Sequence, residues 1–569
     1  MADAQPSPGG IHRISGHGGI HAIAAARRHG VTTLFTLSGG HVFPLYDAAV
    51  KANPAIRIID VRHEQTAVFA AEGTAKLTRS PALAVLTAGP GVTNGVSAIA
   101  TAHFNGSPVV VVGGRAPDYR WGSGSLQELD HPPLLAPVTK RAWTEHTTAG
   151  IAAAMDQAFR LASAPHRGPV FLDVPLDALF GEATAELPAG QATPAGQATP
   201  LGQATSAHEL DPGVIAHIAE LLRDAQRPVM VFGSDIWLGG AEEAARQAAE
   251  ALQIPVITNG QGRGVIPAGH DLLVTRARSL AFGETDLVIV AGTPLDFRLG
   301  YGAFGGQNHT PQARVVHLAD SPSQVARHCE LAACAAGDLT ALLTTLAEAA
   351  PPRKPGDPWL ERLRAAVHVG TASDADLLSS EASPVHPMRI YGELAKVLAD
   401  DAVVIGDGGD FVSYAGKYIE PKGPGSWLDP GPYGCLGTGL GYAIAARLAR
   451  PSSQVVLLLG DGAAGFSLMD ADTLVRHDLP VTMICGNNGI WGLEKHPMRM
   501  IYGYDVAADL QARCRYDDVV RALGGAGELV TEPGTIGPAL RRALDACVPY
   551  LVNIATDPQI AYPRSTTGI

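Results

Sequence analysis

The apolar positions of this chain fall into short, unbroken runs rich in β-branched residues, each closed by glycine, proline, asparagine or aspartate. VTTLFTL, IRIIDV, ALAVLTAGPG, PVVVVGG and GPVFLDVP occupy the first third. PVMVFGS, PVITN, LVIVAGT and RVVHLAD follow in the middle, and VVIGDGGD, QVVLLLG, PVTMICG and YLVNIAT in the last third. Runs without polar alternation mark strands buried on both faces, the habit of parallel sheets covered by helices. Between them the apolar residues change to helical spacing, as in 20–29, 42–50 and 64–77. The pattern predicts an α/β chain of three doubly wound parallel-sheet domains.

Breaks in the pattern set the boundaries. Residues 1–10 read as a loose tail and 11–183 as the first block. Residues 184–209 carry PAGQAT twice and PLGQAT once, without apolar bulk, and predict a surface linker. A second block spans 210–350, and a linker, proline-rich and then helical, spans 351–385. The third block covers 386–555, and 556–569 form a polar tail.

A net charge of −13 argues against non-specific nucleic-acid binding and against a basic membrane-binding surface. The six cysteines are scattered without CxxC spacing, which excludes a disulfide scaffold and a cysteine metal cluster. With no signal peptide and no apolar run near 18 residues in view, the expected setting is the cytoplasm.

Chemistry concentrates at strand ends. QVVLLLG empties into Gly460-Asp461-Gly462, and PVTMICG ends at Asn487-Asn488-Gly489. Between them lies a predicted amphipathic helix with Phe466, Met469, Leu474 and Val475 on its apolar side and Asp470, Asp472 and Arg476 on its polar side. A right-handed crossover puts both strand ends on one sheet edge. The Asp461 carboxylate and the Asn488 amide oxygen there are hard ligands suited to Mg²⁺ or Ca²⁺. Mg²⁺ completes its octahedron with phosphate oxygens, and a diphosphate is favoured near the following helix N-terminus.

The spacing of GDG and NN resembles the metal–diphosphate signature of thiamine diphosphate (ThDP) enzymes. The resemblance covers essentially the whole chain. It implies a pyrimidine-binding domain at 11–183, a nucleotide- or CoA-binding-like middle domain at 210–350 and a diphosphate-binding domain at 386–555. It further implies that Asp461, Asn488 and the Ile490 carbonyl hold Mg²⁺, with Gly462, Ala463 and Gly408 at the diphosphate. RHEQTAVFAAEGTAKLT resembles the segment of acetohydroxyacid synthases and their relatives whose glutamate bonds the aminopyrimidine N1′. Glu64 would then be the catalytic glutamate; taken alone it reads as a first-turn charge favoured by the helix dipole. GPYGCLGTGLG resembles the turn that bends the cofactor, with Leu436 as the prop and the Gly434 carbonyl accepting from the 4′-amino group. In the family the active site joins two subunits, so the resemblance implies a homodimer or homotetramer.

For the substrate, residues 276–302 resemble the middle-domain segment of oxalyl-CoA decarboxylases and 2-hydroxyacyl-CoA lyases. Arg276, Arg278 and Arg298 are candidates for the phosphates of CoA, or else solvated charges. Glu494 and Trp491, just past Asn488, are candidates for a proton-transfer group and a pocket wall. Gln127, in LQELD, is a candidate for contact with the reacting carbonyl and His41 for the pocket lining, or else both are loop-packing residues. Tyr562 and Ser565 are candidates for a C-terminal lid. Together these point to a 2-hydroxyacyl-CoA lyase of the actinobacterial 2-hydroxyisobutyryl-CoA type, releasing formyl-CoA and a ketone or aldehyde. The alternatives are an oxalyl-CoA decarboxylase, an acetolactate synthase-like carboligase and a non-catalytic subunit of the same fold.

Overall fold

The first sheet places the strands Arg57–Asp60, Thr33–Thr36, Ala82–Leu86, Val109–Arg115, Val170–Pro175 and Arg141–Thr144 side by side, all parallel. The structure, a computed structural model, describes residues 11–188, 211–354 and 356–562. Ala82–Leu86, Val109–Arg115 and Val170–Pro175 are buried at every position, as their uninterrupted apolar runs require, whereas the outer strands are only partly covered. The helices Gly18–Arg28 and Ile151–Ser163 contribute Ile23, Ile151, Met155 and Phe159 to the core beside it. A two-stranded antiparallel ribbon pairs Ile11–His17 with Glu182–Pro188. That ribbon takes in the first positions of the segment 184–209 expected to be linker; the remainder of that segment and residues 1–10 lie outside the described residues.

The middle sheet runs Val256–Thr258, Pro228–Phe232, Leu287–Ala291, Arg314–Ala319 and Ala333–Ala336, again parallel. The helix Pro358–Leu378 sends Trp359, Leu360 and Leu363 into this core, and the Trp359 indole donates to the Pro228 carbonyl at 3.2 Å. The expected linker 351–385 is therefore partly core: burying an indole and two leucines stabilises by several kcal/mol, on the order of 25 cal/mol per Å².

The last sheet orders Trp427–Leu428, Val403–Asp407, Val455–Gly460, Thr482–Asn487, Tyr550–Ala555 and Ala526–Val530, all parallel. By internal packing the chain divides into two compact units. One comprises the N-terminal block with Tyr433–Ala449 and Met469–His477; the other comprises the middle block and the rest of the C-terminal block.

In the first unit the helix Glu64–Thr78 packs along the helix Thr438–Ala449. Glycines permit the close crossing: a Cβ on Gly73 would lie 2.8 Å from Ala445, and one on Gly441 2.5 Å from Phe69. A buried polar cluster fixes the register. The Glu72 carboxylate, fully buried, accepts from Tyr442 Oη at 2.8 Å, Asn105 at 2.8 Å and Ser107 at 3.1 Å, and pairs with Lys76 at 3.0 Å. Removing one partner would leave an uncompensated charge, the costly way to break a buried pair.

The segment after Gly460 departs from the expected single helix. It forms Asp461–Ser467, a 3₁₀ turn Leu468–Asp470 and then Ala471–Arg476. Phe466 and Met469 are more than half exposed, while Asp470 is buried. The Asp470 carboxylate accepts from the Arg62 N–H at 2.8 Å, Thr66 Oγ1 at 2.6 Å and Thr473 Oγ1 at 2.9 Å. Those three donors outweigh the apolar stripe.

Candidate active site

The metal-binding candidates sit where two neighbouring strands of the last sheet end. Val455–Gly460 pairs with Thr482–Asn487 so that Gly460 stands opposite Gly486. Asp461, buried, turns its carboxylate across this edge and accepts the Gly489 N–H at 2.6 Å and the Gly462 N–H at 3.0 Å. Burial pushes its carboxyl up to about 6, against the pull of those backbone N–H groups. A buried carboxylate with an elevated proton affinity is a strong ligand for a divalent ion, which replaces the proton. Asn488 is half-buried, and its Oδ1 accepts from the Ile490 N–H at 3.2 Å. Ile490 is held by an antiparallel bridge to Asp509.

Small residues leave room beside this edge. A Cβ on Gly408 would lie 3.1 Å from the Gly460 nitrogen, while one on Gly460 would meet nothing within 4 Å. The Trp491 ring lies over Gly462, at 2.4 Å from where a Cβ would stand. One carboxylate, one amide oxygen and a glycine-lined edge walled on one side by Trp491 fit Mg²⁺ and a diphosphate.

Glu64 lies in the first unit, buried at the start of its helix. His63 caps that helix, its Nδ1 accepting from the Gln65 N–H at 3.1 Å. Asn94, at the end of the short helix Pro90–Asn94, donates to Glu64 Oε2 at 3.0 Å. A Cβ on Gly91 would lie 3.7 Å from Glu64 Oε1, so that oxygen faces a position without a side chain. Gln127, with φ of 61°, folds over the Gly89 turn and leaves 2.9 Å between its Cβ and a Cβ on Gly89. His41, buried, meets Thr87 Oγ1 at 3.3 Å, and burial holds its imidazole below the usual histidine range. The structure thus gathers Glu64, Gln127 and His41 around the Thr87–Gly91 turn. Gly434 is exposed and Leu436 half-buried; both precede the helix that packs on the Glu64 helix.

The remaining candidates divide. Two of the three arginines proposed for phosphate have carboxylate partners: Arg276 pairs with Asp374 at 2.7 Å, which also pairs with Lys417 at 2.9 Å, and Arg298 forks onto Asp296 at 2.7 Å. Arg278 instead stacks on Phe282 and donates to the Arg298 carbonyl, and burial lowers it to about 10. Glu494 is exposed in the first turn of the helix Gly492–Tyr502, without the cover expected of a proton-transfer group. Tyr562 packs edge-on against Tyr414, and its N–H donates to Asp410 at 2.8 Å, so the tail is anchored as far as this residue. Ser565 lies outside the described residues.

Sequence reasoning missed Asn94, His131, Asp173 and Arg115. Asn94 follows ALAVLTAGPG by a few positions, and a helix-terminal amide so close to a glycine turn was the one signal available.

Comparison with known proteins agrees with this architecture. Residues 17–134 match the thiamine pyrophosphate enzyme N-terminal TPP binding domain, 215–346 the central domain and 407–554 the C-terminal TPP binding domain. The chain is 49% identical over 556 residues to the acetolactate synthase large subunit IlvG of Mycobacterium tuberculosis, covering 96% of this chain and 97% of that one. It is 33% identical to 2-hydroxyacyl-CoA lyase 2 of Caenorhabditis elegans, covering 93% and 86%, and 32% identical to the human protein of that name, covering 90% and 85%. The fold and site define a thiamine diphosphate-dependent enzyme. The chain belongs to the thiamine pyrophosphate enzyme family.

Proposed function

We propose that this enzyme is an acetolactate synthase-like carboligase that joins two 2-oxoacid molecules with loss of CO₂. The observation that carries the reading is 49% identity over nearly the full length to proteins named acetolactate synthase, against 32–33% to proteins named 2-hydroxyacyl-CoA lyase 2. The internal pairing of Arg276 and Arg298 supports it, because a CoA substrate needs unengaged cations for its phosphates.

Bound ThDP would supply an electron sink at the carbonyl carbon whose bond breaks. The chain's residues do the rest. Glu64 holds and returns a proton at the aminopyrimidine N1′, with Asn94 fixing one of its oxygens. Asp461, Asn488 and the Ile490 carbonyl hold Mg²⁺, and through it the diphosphate. Gln127 and His41 orient the reacting carbonyl. Trp491, over Gly462, would wall the diphosphate edge and keep water from it. The working enzyme is a homodimer or homotetramer.

The second reading is 2-hydroxyacyl-CoA cleavage to formyl-CoA, favoured by the lyase relatives and by Arg278, whose guanidinium is not paired with a carboxylate in the contacts described. Incubation with ThDP, Mg²⁺ and pyruvate alone, beside a parallel reaction with 2-hydroxyisobutyryl-CoA, separates the two. Acetolactate and CO₂ in the first vessel are expected. Formyl-CoA in the second, with no acetolactate in the first, would overturn the proposal.

A further inference from the structure

Beneath the Thr87–Gly91 turn lies a polar chain that the reaction above leaves without a role. His131 and Asp173 are both fully buried. The Gly89 N–H donates to His131 Nε2 at 3.0 Å, and His131 Nδ1 lies 3.0 Å from Asp173 Oδ1. Arg115 donates to Asp173 Oδ2 at 2.8 Å and stacks on Trp121 at 3.6 Å. A backbone N–H can only donate, so Nε2 is the unprotonated nitrogen and the ring proton sits on Nδ1, facing the carboxylate. Arg115 takes the other oxygen of that carboxylate, which leaves Oδ1 as the acceptor facing Nδ1.

The chain continues upward. Gly89 has φ of 57° and is the residue from which the helix Pro90–Asn94 starts, its carbonyl accepting from the Thr93 N–H at 3.0 Å. Asn94 ends that helix and holds Glu64 Oε2. The same glycine supports Gln127. A buried imidazole lone pair therefore holds the N–H of the glycine whose carbonyl opens the Asn94 helix and whose Cα lies against Gln127.

We infer that His131, locked in its Nδ1–H form by Asp173, is a positioning residue that aims Asn94 at Glu64 and seats Gln127. The inference rests on the reading of Glu64 as the catalytic glutamate. That reading is checked separately, by ThDP binding and turnover of Glu64→Gln beside the unaltered enzyme.

The test compares His131→Gln, His131→Phe and Asp173→Asn in the full-length enzyme, with steady-state kinetics on the substrate the unaltered enzyme turns over, ThDP affinity, and hydrogen exchange of the 87–95 backbone. Gln keeps an acceptor for Gly89 and a donor for Asp173; Phe keeps the ring and loses both. Asp173→Asn replaces an acceptor-only partner of Nδ1 with an amide that can also donate, and so releases the tautomer. The expected result is a kcat at least about 10-fold lower for His131→Phe and Asp173→Asn, with ThDP affinity and KM within about 3-fold and faster exchange at 87–95. His131→Gln should recover kcat to within about 3-fold of the unaltered enzyme. Unaltered kcat in folded Asp173→Asn would overturn the inference, as would a His131→Gln enzyme that folds and binds ThDP yet is as slow as Asp173→Asn. Should His131→Phe fail to fold, the other two variants decide.

Discussion

Asn94 Nδ2 donates to Glu64 Oε2 at 3.0 Å, so one oxygen of the buried carboxylate is committed and the other faces Gly91. The two oxygens therefore differ: one is held, and the proposed function assigns the other the proton exchanged with the cofactor. Glu64→Gln keeps the volume and the bond geometry but cannot carry the proton. It should bind ThDP within a few-fold of the unaltered enzyme and lower kcat about 10²- to 10⁴-fold, the usual range for a general acid–base group. Isothermal titration with ThDP and steady-state kinetics on one preparation check both halves.

Asn94→Ala should act through the same carboxylate, more mildly. Without the donor Glu64 loses its orientation but keeps its proton chemistry, so kcat should fall about 10-fold or more while the variant stays folded and binds cofactor. Steady-state kinetics, with a thermal melt as the folding control, would show it.

Asp156, outside the candidate site, predicts how acid weakens the first domain. Burial pushes its carboxyl up, but the bonds from His29 at 2.9 Å and Arg160 at 2.7 Å prevail and hold it at about 2. A carboxyl lowered on folding contributes stability that is complete above its unfolded value near 4 and is lost as pH falls through the folded value. Asp156→Asn should therefore cost about 1–2 kcal/mol at pH 7, and the difference from the unaltered protein should close between about pH 4 and pH 2. Denaturant melts at a series of pH values measure this.

The exposed apolar residues predict assembly. Met500, Ile501, Tyr502, Tyr504 and Val506 stand out within a single stretch that follows the 488–490 loop. Contiguous apolar exposure of this kind marks a surface that another protein covers. Light scattering should give a particle of at least twice the 59.0 kDa chain, and Ile501→Asp with Tyr504→Asp should lower that mass.

What the sequence disclosed depended on the kind of signal. Central strands were legible because burial on both faces demands unbroken apolar runs, as in ALAVL and VVLLLG. The outer strands Arg141–Thr144, Ala333–Ala336 and Ala526–Val530 were not, because partial exposure relaxes that demand. Asp461 and Asn488 were legible since a short crossover leaves little choice about where strand ends fall. Asp470 was hidden, since its burial depends on donors at Arg62 and Thr66, remote in sequence. The partner of Arg276 was hidden for the same reason: Asp374 belongs to a helix that read as linker. Asn94, His131 and Asp173 form their relay only after the first sheet has assembled.

The most direct measurement is a titration of the purified chain with ThDP, with Mg²⁺ and with Mg²⁺ removed by chelation, repeated on Asp461→Ala. The expected outcome is saturable, one-to-one binding that needs Mg²⁺ and weakens at least about 10-fold in Asp461→Ala, since a missing ligand removes both a metal bond and the acceptor for Gly489. Binding that ignores Mg²⁺, or that Asp461→Ala leaves unchanged, would contradict the account.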